Sequence, residues 1–393
     1  VSRRPRVLVT HCKVQPHGGS NGVLAWTLEA LRRDYDVTLL TADPFDLAAL
    51  NRYFGTSLEP QDFGIRHIHP ALRKIFALDP DPGSIQQCCY LMRLAKRMRR
   101  GFDCVLTTDN EADLGGPAIQ YIHMPALAHV YPKVAPSLDL PLARKLAAWR
   151  DGKLRPWMAV ADFSFGRMKR NRTIVNSDWT GRWVRRAYGI DTVTLYPPAP
   201  GDFPDVPWEG REEAFVVIGR LHPYKRLDWC LRVLKTVRRS FPNLKLHIVG
   251  STSKLKPEAN YFKVLIPMIA ADASWVTLHE NVPRLEMERI VTGRKYGMHA
   301  MIDEHFGMAV AEMVRAGCIP FVHNSGGPPE IVDYDSRLIY DSEEDAAAKI
   351  ASVLANPATQ AAIAARLAPR KDLFRPEAFV KGILDEVARA IRR

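Results

Sequence analysis

No apolar run in this 393-residue sequence approaches the roughly 18 residues a membrane-crossing helix needs, so the chain is not expected to span a bilayer. Cysteine is scarce. The six residues, at positions 12, 88, 89, 104, 230 and 318, form no C-x-x-C pair and have no histidine at zinc spacing. Cys88 and Cys89 are adjacent and cannot readily bridge each other, and the others lie in apolar runs. Neither a disulfide scaffold nor a zinc module is expected, and such cysteine usage belongs to a reduced compartment. The basic start Val1–Arg6 precedes an apolar stretch only a strand long, without a cleavage site. The expectation is a cytoplasmic chain. Aromatic residues, 9% of the total, are not interleaved with the basic patches Lys96–Arg100 and Lys169–Arg172, and no base-reading motif accompanies those patches. Nucleic acid is therefore not an expected partner.

Acid is in deficit, with 43 Asp and Glu against 55 Lys and Arg, a formal charge of +12. The excess is lopsided: residues 1–200 hold 28 basic and 18 acidic side chains, the remainder 27 and 25. A basic first half suits an anionic partner such as a lipid phosphate, a membrane surface or a nucleotide, or else is a solvated cationic surface. Hydrophobic residues at 47% and charged residues at 25% are ordinary for globular protein. The length corresponds to two domains or three.

Short β-branched runs alternate with helical patterns, the sign of open parallel α/β sheets. Strands are expected at 6–11, 36–42, 104–109, 119–125 and 173–177, then at 214–219, 245–250, 275–279, 297–302, 319–323 and 338–340. A helix follows the first strand over 22–33, with Leu24, Leu28 and Leu31 on one face. Others fill 226–240, 257–271, 284–293, 307–316 and 343–355. Between the halves, five prolines in the twelve residues Tyr196–Pro207 can continue neither a helix nor a central strand, so this segment is a linker. The expected domains are 1–200 and 201–370, each a doubly wound sheet, with 371–393 as one closing helix carrying Phe379, Ile383, Val387 and Ile391 at four-residue spacing. Ligands of such sheets lie at the carboxyl ends of the strands.

Three places carry chemistry. In Asp303–Glu312 a carboxylate, Glu304, precedes a helix opening near Gly307. The amides of Phe306, Gly307 and Met308 are then first-turn donors suited to phosphate. Glu312 lies one further turn along, so the two carboxylates can bracket one ligand and accept paired hydrogen bonds from sugar hydroxyls. The plainer alternative is a solvated acid and a helix-terminal charge. In Gly219–Arg226, Arg220 at a strand end and Lys225 at the next helix offer a fork and a point charge that suit a diphosphate, or are cations of a solvated turn. In Gln15–Gly22, the pair Gly18–Gly19 permits a tight turn and close approach of a phosphate or sugar, without matching the dinucleotide glycine pattern. The D-x-D of Asp79-Pro80-Asp81-Pro82 is held in a turn by prolines on both flanks and is not expected to hold a metal.

The glycine turn, the proline linker, the G-R-x4-K turn, the E-x7-E stretch and the closing helix, in that order, resemble the retaining, nucleotide-sugar-dependent GT-B glycosyltransferases of the large GT4 group. Within it, Glu304–Gly307, Ala316–Pro320, His323–Pro328 and Tyr121–Pro125 are similar to the ALG11-type mannosyltransferases that extend lipid-linked oligosaccharides, although the glycine pair 18–19 is shorter than their glycine run. The resemblance implies two Rossmann-like domains facing across a cleft, the closing helix crossing back to the first. It implies Arg220 and Lys225 on the donor diphosphate, Glu304 on hydroxyls of the transferred sugar, the 306–308 amides on phosphate and Glu312 on ribose. Gly18 and Gly19 would close over donor or acceptor, His123 would stand beside the reacting sugar, and Asn281, Val282 and Leu285 would hold the base. It implies a UDP- or GDP-linked hexose donor, a glycan or lipid-linked saccharide acceptor, no cofactor and no catalytic metal. Another GT-B enzyme, an epimerase or an inverting transferase, is the nearer alternative. The basic, Trp-bearing segment 142–160 is suited to peripheral contact with an anionic membrane, the surface a lipid-linked acceptor would require.

Overall fold

In the computed structural model, residues 3–15, 18–76, 78, 85–127, 154–251 and 256–392 are described. Among them the strands form two all-parallel sheets. The first holds β1 (Arg6–Thr10), β2 (Asp36–Thr41), β3 (Phe63–His67), β4 (Cys104–Thr107), β5 (Ile119–Ile122), β6 (Arg172–Val175) and β7 (Val193–Thr194), in the order β3-β2-β1-β4-β5-β6-β7. The second holds β8 (Glu212–Ile218), β9 (Lys245–Gly250), β10 (Val276–Glu280), β11 (Arg294–His299), β12 (Ile319–His323) and β13 (Ile339–Tyr340), in the order β10-β9-β8-β11-β12-β13. Helices fill most of the crossovers between parallel strands, while β4 and β5 are joined by residues 108–118 without one. Central strands covered on both faces read as unbroken apolar runs, and Val7, Leu8 and Val9 are fully buried.

The chain divides into two compact units, Val1–Pro198 with Pro376–Arg393, and Ala199–Arg375. The first passage between them falls inside the proline-rich run, where φ is fixed and ladder donors are missing. The helix Pro376–Ile391 belongs to the first unit: Phe379, Ile383 and Val387 enter its core with Leu24, Leu28 and Tyr121. Glu386 takes Arg172 in a two-pronged pair at 2.7 and 3.0 Å, which fixes the helix register against β6.

Each sheet reverses its strand order between its first strand and the fourth in chain order: β1 beside β4, and β8 beside β11. At such a switch point the loops leaving neighbouring strands part and open a crevice. Gly18 lies after β1, Arg220 and Lys225 after β8, and Glu304 after β11, so the topology delivers these residues to carboxyl-end loops.

Three differences from the sequence reading have physical causes. β3 was not expected because, apart from Phe63, its residues are exposed on an edge and show no apolar pattern. β7 has only two residues. β11 lies three residues earlier than the expected 297–302: it pairs with β8 from Arg294, with a register shift before Tyr296, and Tyr296–His299 are buried. The apolar residues after His299 therefore belong to a loop, not to the strand. Of the described helices, none is long and apolar enough to cross a membrane.

Phe379 is 1% exposed, and Phe379→Ala is expected to cost about 3–5 kcal/mol. Urea unfolding monitored on the first unit's tryptophans should show this loss.

Candidate functional site

The second unit's site grows from the turn after β8. The backbone leaves the sheet at Gly219, whose amide still bonds Val249 O at 3.0 Å, and Leu221 N reaches Ser251 O at 2.9 Å. One turn of 3-10 helix, Pro223–Lys225, follows, with the His222 side chain accepting from Tyr224 N at 3.2 Å. Arg226 then adopts φ 50°, and the helix Leu227–Arg238 begins. This geometry sends Lys225 back over the sheet end, where its Nζ donates to Glu304 Oε2 at 2.6 Å, with Met301 Sδ 3.4 Å away. Arg220 is exposed at the same strand end.

Glu304 sits in the loop 300–307. Asp303 has φ 53°, and its amide donates to Ser325 Oγ at 2.8 Å. The loop is clamped from outside by Ser325-Gly326-Gly327: Gly327 N donates to Glu304 O at 2.8 Å. A Cβ at Gly326, which has φ +78°, would stand 2.1 Å from Glu304 O, and one at Gly327 would stand 2.6 Å from His305 O. Only glycine lets the two backbones meet this closely.

Beside the Lys225–Glu304 pair is a residue the sequence reading did not select. His299, the last residue of β11, is 3% exposed, and its Nε2 stands 3.5 Å from Glu304 Oε2. That separation is an electrostatic contact, longer than a formed hydrogen bond, and neither ring nitrogen has a hydrogen-bond partner. Burial pushes the Glu304 carboxyl up, but Lys225 and His299 more than offset it and hold the group well below the usual carboxylate range.

Gly307, at φ 109°, caps the helix Met308–Arg315, so the first-turn N–H groups lie just past the Glu304 loop. Phe306 turns its ring into the core, edge-on to Phe374 at 6.0 Å, leaving its backbone as the part able to meet an anion. Glu312 is 7% exposed and meets Arg284 at 2.6 Å, and Arg284 also holds Glu288 at 2.7 Å. Arg284 was missed because its partner Glu312 lies 28 positions away, although the Arg284–Glu288 spacing is visible in the sequence. At the end of β10, Asn281 has φ 53° and bonds Gly250 O at 2.8 Å, Val282 packs into the core, and Leu285 is 68% exposed.

The first unit has its own cluster at the carboxyl ends of β4 and β5. Asn110, at φ 70°, accepts the amides of His123 and Met124 at 2.8 and 3.1 Å. His123 Nε2 lies 3.0 Å from Thr108 O; a carbonyl only accepts, so Nε2 carries a proton. Asn176 Nδ2 donates to His123 O at 3.0 Å. The chain beyond is held by Glu111, which accepts from Ala126 N at 3.0 Å and from the Tyr188 hydroxyl. Gly18, at φ 96°, caps the helix Gly19–Leu31, and Asn21 Oδ1 accepts from Gln15 N at 2.9 Å. The Asp79–Pro82 turn, His17 and residues 142–153 lie outside the described residues. For a metal, spacing had argued against any cysteine site, yet Cys12, Cys88 and Asp109 bring ligand atoms within 4.8 Å of one another.

Residues 201–368 match the family Glycosyl transferases group 1. The human GDP-Man:Man(3)GlcNAc(2)-PP-Dol alpha-1,2-mannosyltransferase is 29% identical over 200 residues, 46% of this chain and 40% of that protein. The Yarrowia lipolytica protein of the same name is 25% identical over 237 residues, 54% of this chain and 37% of its own. The chain thus spans about two fifths of the length of these curated relatives. Among solved structures, sucrose-phosphate synthase from Thermosynechococcus elongatus aligns with TM-score 0.70 at 16% identity, covering 98% of both chains. WaaG, a glycosyltransferase involved in lipopolysaccharide biosynthesis, aligns with TM-score 0.66 at 14% identity, over 97% of this chain and 99% of that one. These structural likenesses carry the fold. The two sheets, the C-terminal helix and these likenesses give the chain the GT-B fold, and residues 201–368 resemble the group 1 glycosyltransferases. Within that class the chain resembles the ALG11-type alpha-1,2-mannosyltransferases and related bacterial glycosyltransferases.

Burial pushes the imidazoles of His299, His305 and His323 below their ordinary value. An unfolded histidine titrates near 6.5, so below that pH the unfolded chain takes up protons that the folded unit refuses. The stability tied to these groups is full above about pH 6.5 and is lost as pH falls below it. The urea midpoint of the second unit should fall between about pH 7.5 and about pH 5.5, and His299→Gln should make that fall smaller.

Proposed function

We propose that the chain transfers a hexose, of glucose or mannose type, from a UDP- or GDP-linked donor to a glycan or lipid-linked saccharide, with retention at the anomeric carbon. The observation that carries this reading is the Lys225–Glu304 contact of 2.6 Å beside the N-terminus of the helix Met308–Arg315, inside the segment matched by the group 1 family. It unites a cation for a diphosphate, backbone donors for phosphate oxygens and a carboxylate for sugar hydroxyls.

In this reading Arg220, Lys225 and the 306–308 amides take the diphosphate, Glu304 takes hydroxyls of the sugar, and Glu312, steered by Arg284, takes the ribose. The exposed Leu285, with Asn281 and Val282, faces the base. The bond from the anomeric carbon to the diphosphate oxygen breaks, and the electron pair leaves with the diphosphate. The acceptor oxygen bonds the same face of the anomeric carbon and passes its proton to the departing phosphate. Stabilising the leaving charge is the protein's main contribution. His123 is assigned to the sugar's hydroxymethyl group. His299 serves Glu304: when the diphosphate draws Lys225 away, an imidazole N–H 3.5 Å from the carboxylate needs only a small shift to donate to it.

The human relative's name specifies a GDP-mannose donor and a dolichol-linked acceptor, and Anabaena Alr3699/HepE was crystallised with UDP and glucose. Both bases therefore stay within the proposal. The basic first unit favours an anionic acceptor, lipid-linked on the inner face of the cytoplasmic membrane or a soluble anionic glycan. Sedimentation with phosphatidylglycerol vesicles at low salt separates the two, since only the lipid-facing case binds and is released by added salt.

Incubation with UDP and GDP sugars, followed by assignment of the new bond's anomeric configuration, tests the reaction. Retention supports the reading; inversion, or epimerised donor, replaces it with the alternative GT-B chemistry. A donor at 100 times its dissociation constant should stabilise the fold by ~2.7 kcal/mol, which a thermal-shift screen reads directly. Glu304→Gln and Lys225→Ala should each lower transfer by ~10²–10³ while circular dichroism stays unchanged. Transfer should persist in excess EDTA, because protein cations meet the diphosphate charge in this reading. Activity that EDTA abolishes and Mg²⁺ restores contradicts it.

A further inference from the structure

Cys12, Cys88 and Asp109 come from three separate stretches of sequence. Cys12 lies two residues past β1, Asp109 two residues past β4, and Cys88 in the helix Ile85–Met98. β1 and β4 pair in register from Val7↔Cys104 to Thr10↔Thr107, so Cys12 and Asp109 emerge side by side at the carboxyl end of the sheet. The backbone around them is fixed. Cys12 O accepts from Ala42 N at 2.9 Å and from Thr41 Oγ1 at 3.1 Å, and Cys12 N donates to Asp109 Oδ2 at 2.8 Å, which aims the carboxylate. Cys88 Sγ stands 3.8 Å from the same Oδ2. A tetrahedral zinc ion with bonds of about 2.3 Å to sulfur and about 2.0 Å to oxygen separates those two ligands by about 3.5 Å. The observed spacing is therefore close to that of a ligand pair. Cys12 is buried while Cys88 and Asp109 are half-buried, so an ion has a way in.

We propose that Cys12, Cys88 and Asp109 form a site for one soft divalent cation of the zinc and cadmium class, with a fourth position open to water. Two thiolates select soft ions over magnesium or calcium. The ion takes the place of two thiol protons, both released to solvent, and forms two metal–sulfur bonds and one metal–oxygen bond. For Cys12 the hydrogen bond with Cys88 favours the thiolate, but burial, Asp109, Asp43 and Cys89 outweigh it and push the thiol up. For Cys88 the hydrogen bond with Cys12, burial and Asp109 all push the thiol up. An ordinary thiol is protonated at neutral pH, so an ion bound as a dithiolate displaces protons and binds more tightly as pH rises. The site adjoins the His123 cluster of the first unit without being part of it. Asp109 adjoins Asn110, which holds the His123 and Met124 amides, and Cys12 opens the segment leading to Gly18. A bound ion braces the carboxyl ends of β1 and β4 against each other.

The test is a titration of the full chain with cadmium chloride, in a non-thiol reductant, read by the ultraviolet cadmium–thiolate charge-transfer band. The expected result is saturation at one ion per chain, displacement by zinc and no response to magnesium. Cys12→Ser and Cys88→Ser should lose the band, Asp109→Asn should bind more weakly, and Cys230→Ala in the other unit should match the wild type. Circular dichroism checks that each variant folds. Should a cysteine variant fail to fold, the proton count of the wild type decides, with two protons per ion expected in a weakly buffered solution. Absence of a saturable band on the wild type, a band that survives Cys12→Ser or Cys88→Ser, or release of fewer than two protons overturns the site.

Discussion

Lys225 reaches Glu304 at 2.6 Å, and the carboxyl-end loops of the second unit are arranged around that contact. The carboxylate side chain is 17% exposed, and an ionised group so far from water needs a partner within hydrogen-bond reach. Meeting that need fixes the 3-10 turn after β8, the left-handed Arg226 that redirects the chain, and the loop after β11. It also explains why the clamp at Gly326 and Gly327 tolerates no side chain: a Cβ there would lift the backbone that carries Glu304. In the proposed reaction the same contact becomes a competition, because a diphosphate and Glu304 both seek the Lys225 ammonium.

The alternation of strands and helices was legible because parallel strands covered on both faces must be short and continuously apolar. What failed to read were strands free of that demand. β3 lies on an edge with Gly64–His67 exposed, and β7 is two residues long. β11 was displaced because Ala300–Ile302 continue an apolar run after the strand has ended, and sequence alone does not show where pairing with β8 stops. Lys225 and Glu304 were legible as members of spaced motifs at strand ends. His299 was not, since a histidine inside an apolar run looks like an ordinary core residue until its two unpartnered nitrogens are seen. Arg284 and the Cys12–Cys88–Asp109 group depend on contacts between distant positions, which no local spacing encodes.

The first unit shows the same economy at the carboxyl ends of β4, β5 and β6. Thr108, just past β4, meets the His123 ring, while Asn110 and Asn176, just past β4 and β6, hold its backbone, so the residue is fixed by segments that leave neighbouring strands. The helix Pro376–Ile391, furthest away in sequence, completes the core beneath Tyr121, whose hydroxyl bonds Leu195 O at 2.7 Å. The core of this unit is therefore assembled from two stretches distant in sequence, while the second unit is continuous.

The claim that the diphosphate takes over the Lys225 ammonium from Glu304 is tested most directly by calorimetric affinity for UDP and GDP in two variants. A charge-assisted hydrogen bond contributes about 1.5–3 kcal/mol, a factor of about 10–100 in affinity. Lys225→Ala is expected to weaken binding of the cognate nucleoside diphosphate by about that factor, and Glu304→Gln, by freeing the ammonium, to strengthen it. Unchanged or weaker binding by folded Glu304→Gln would contradict the account.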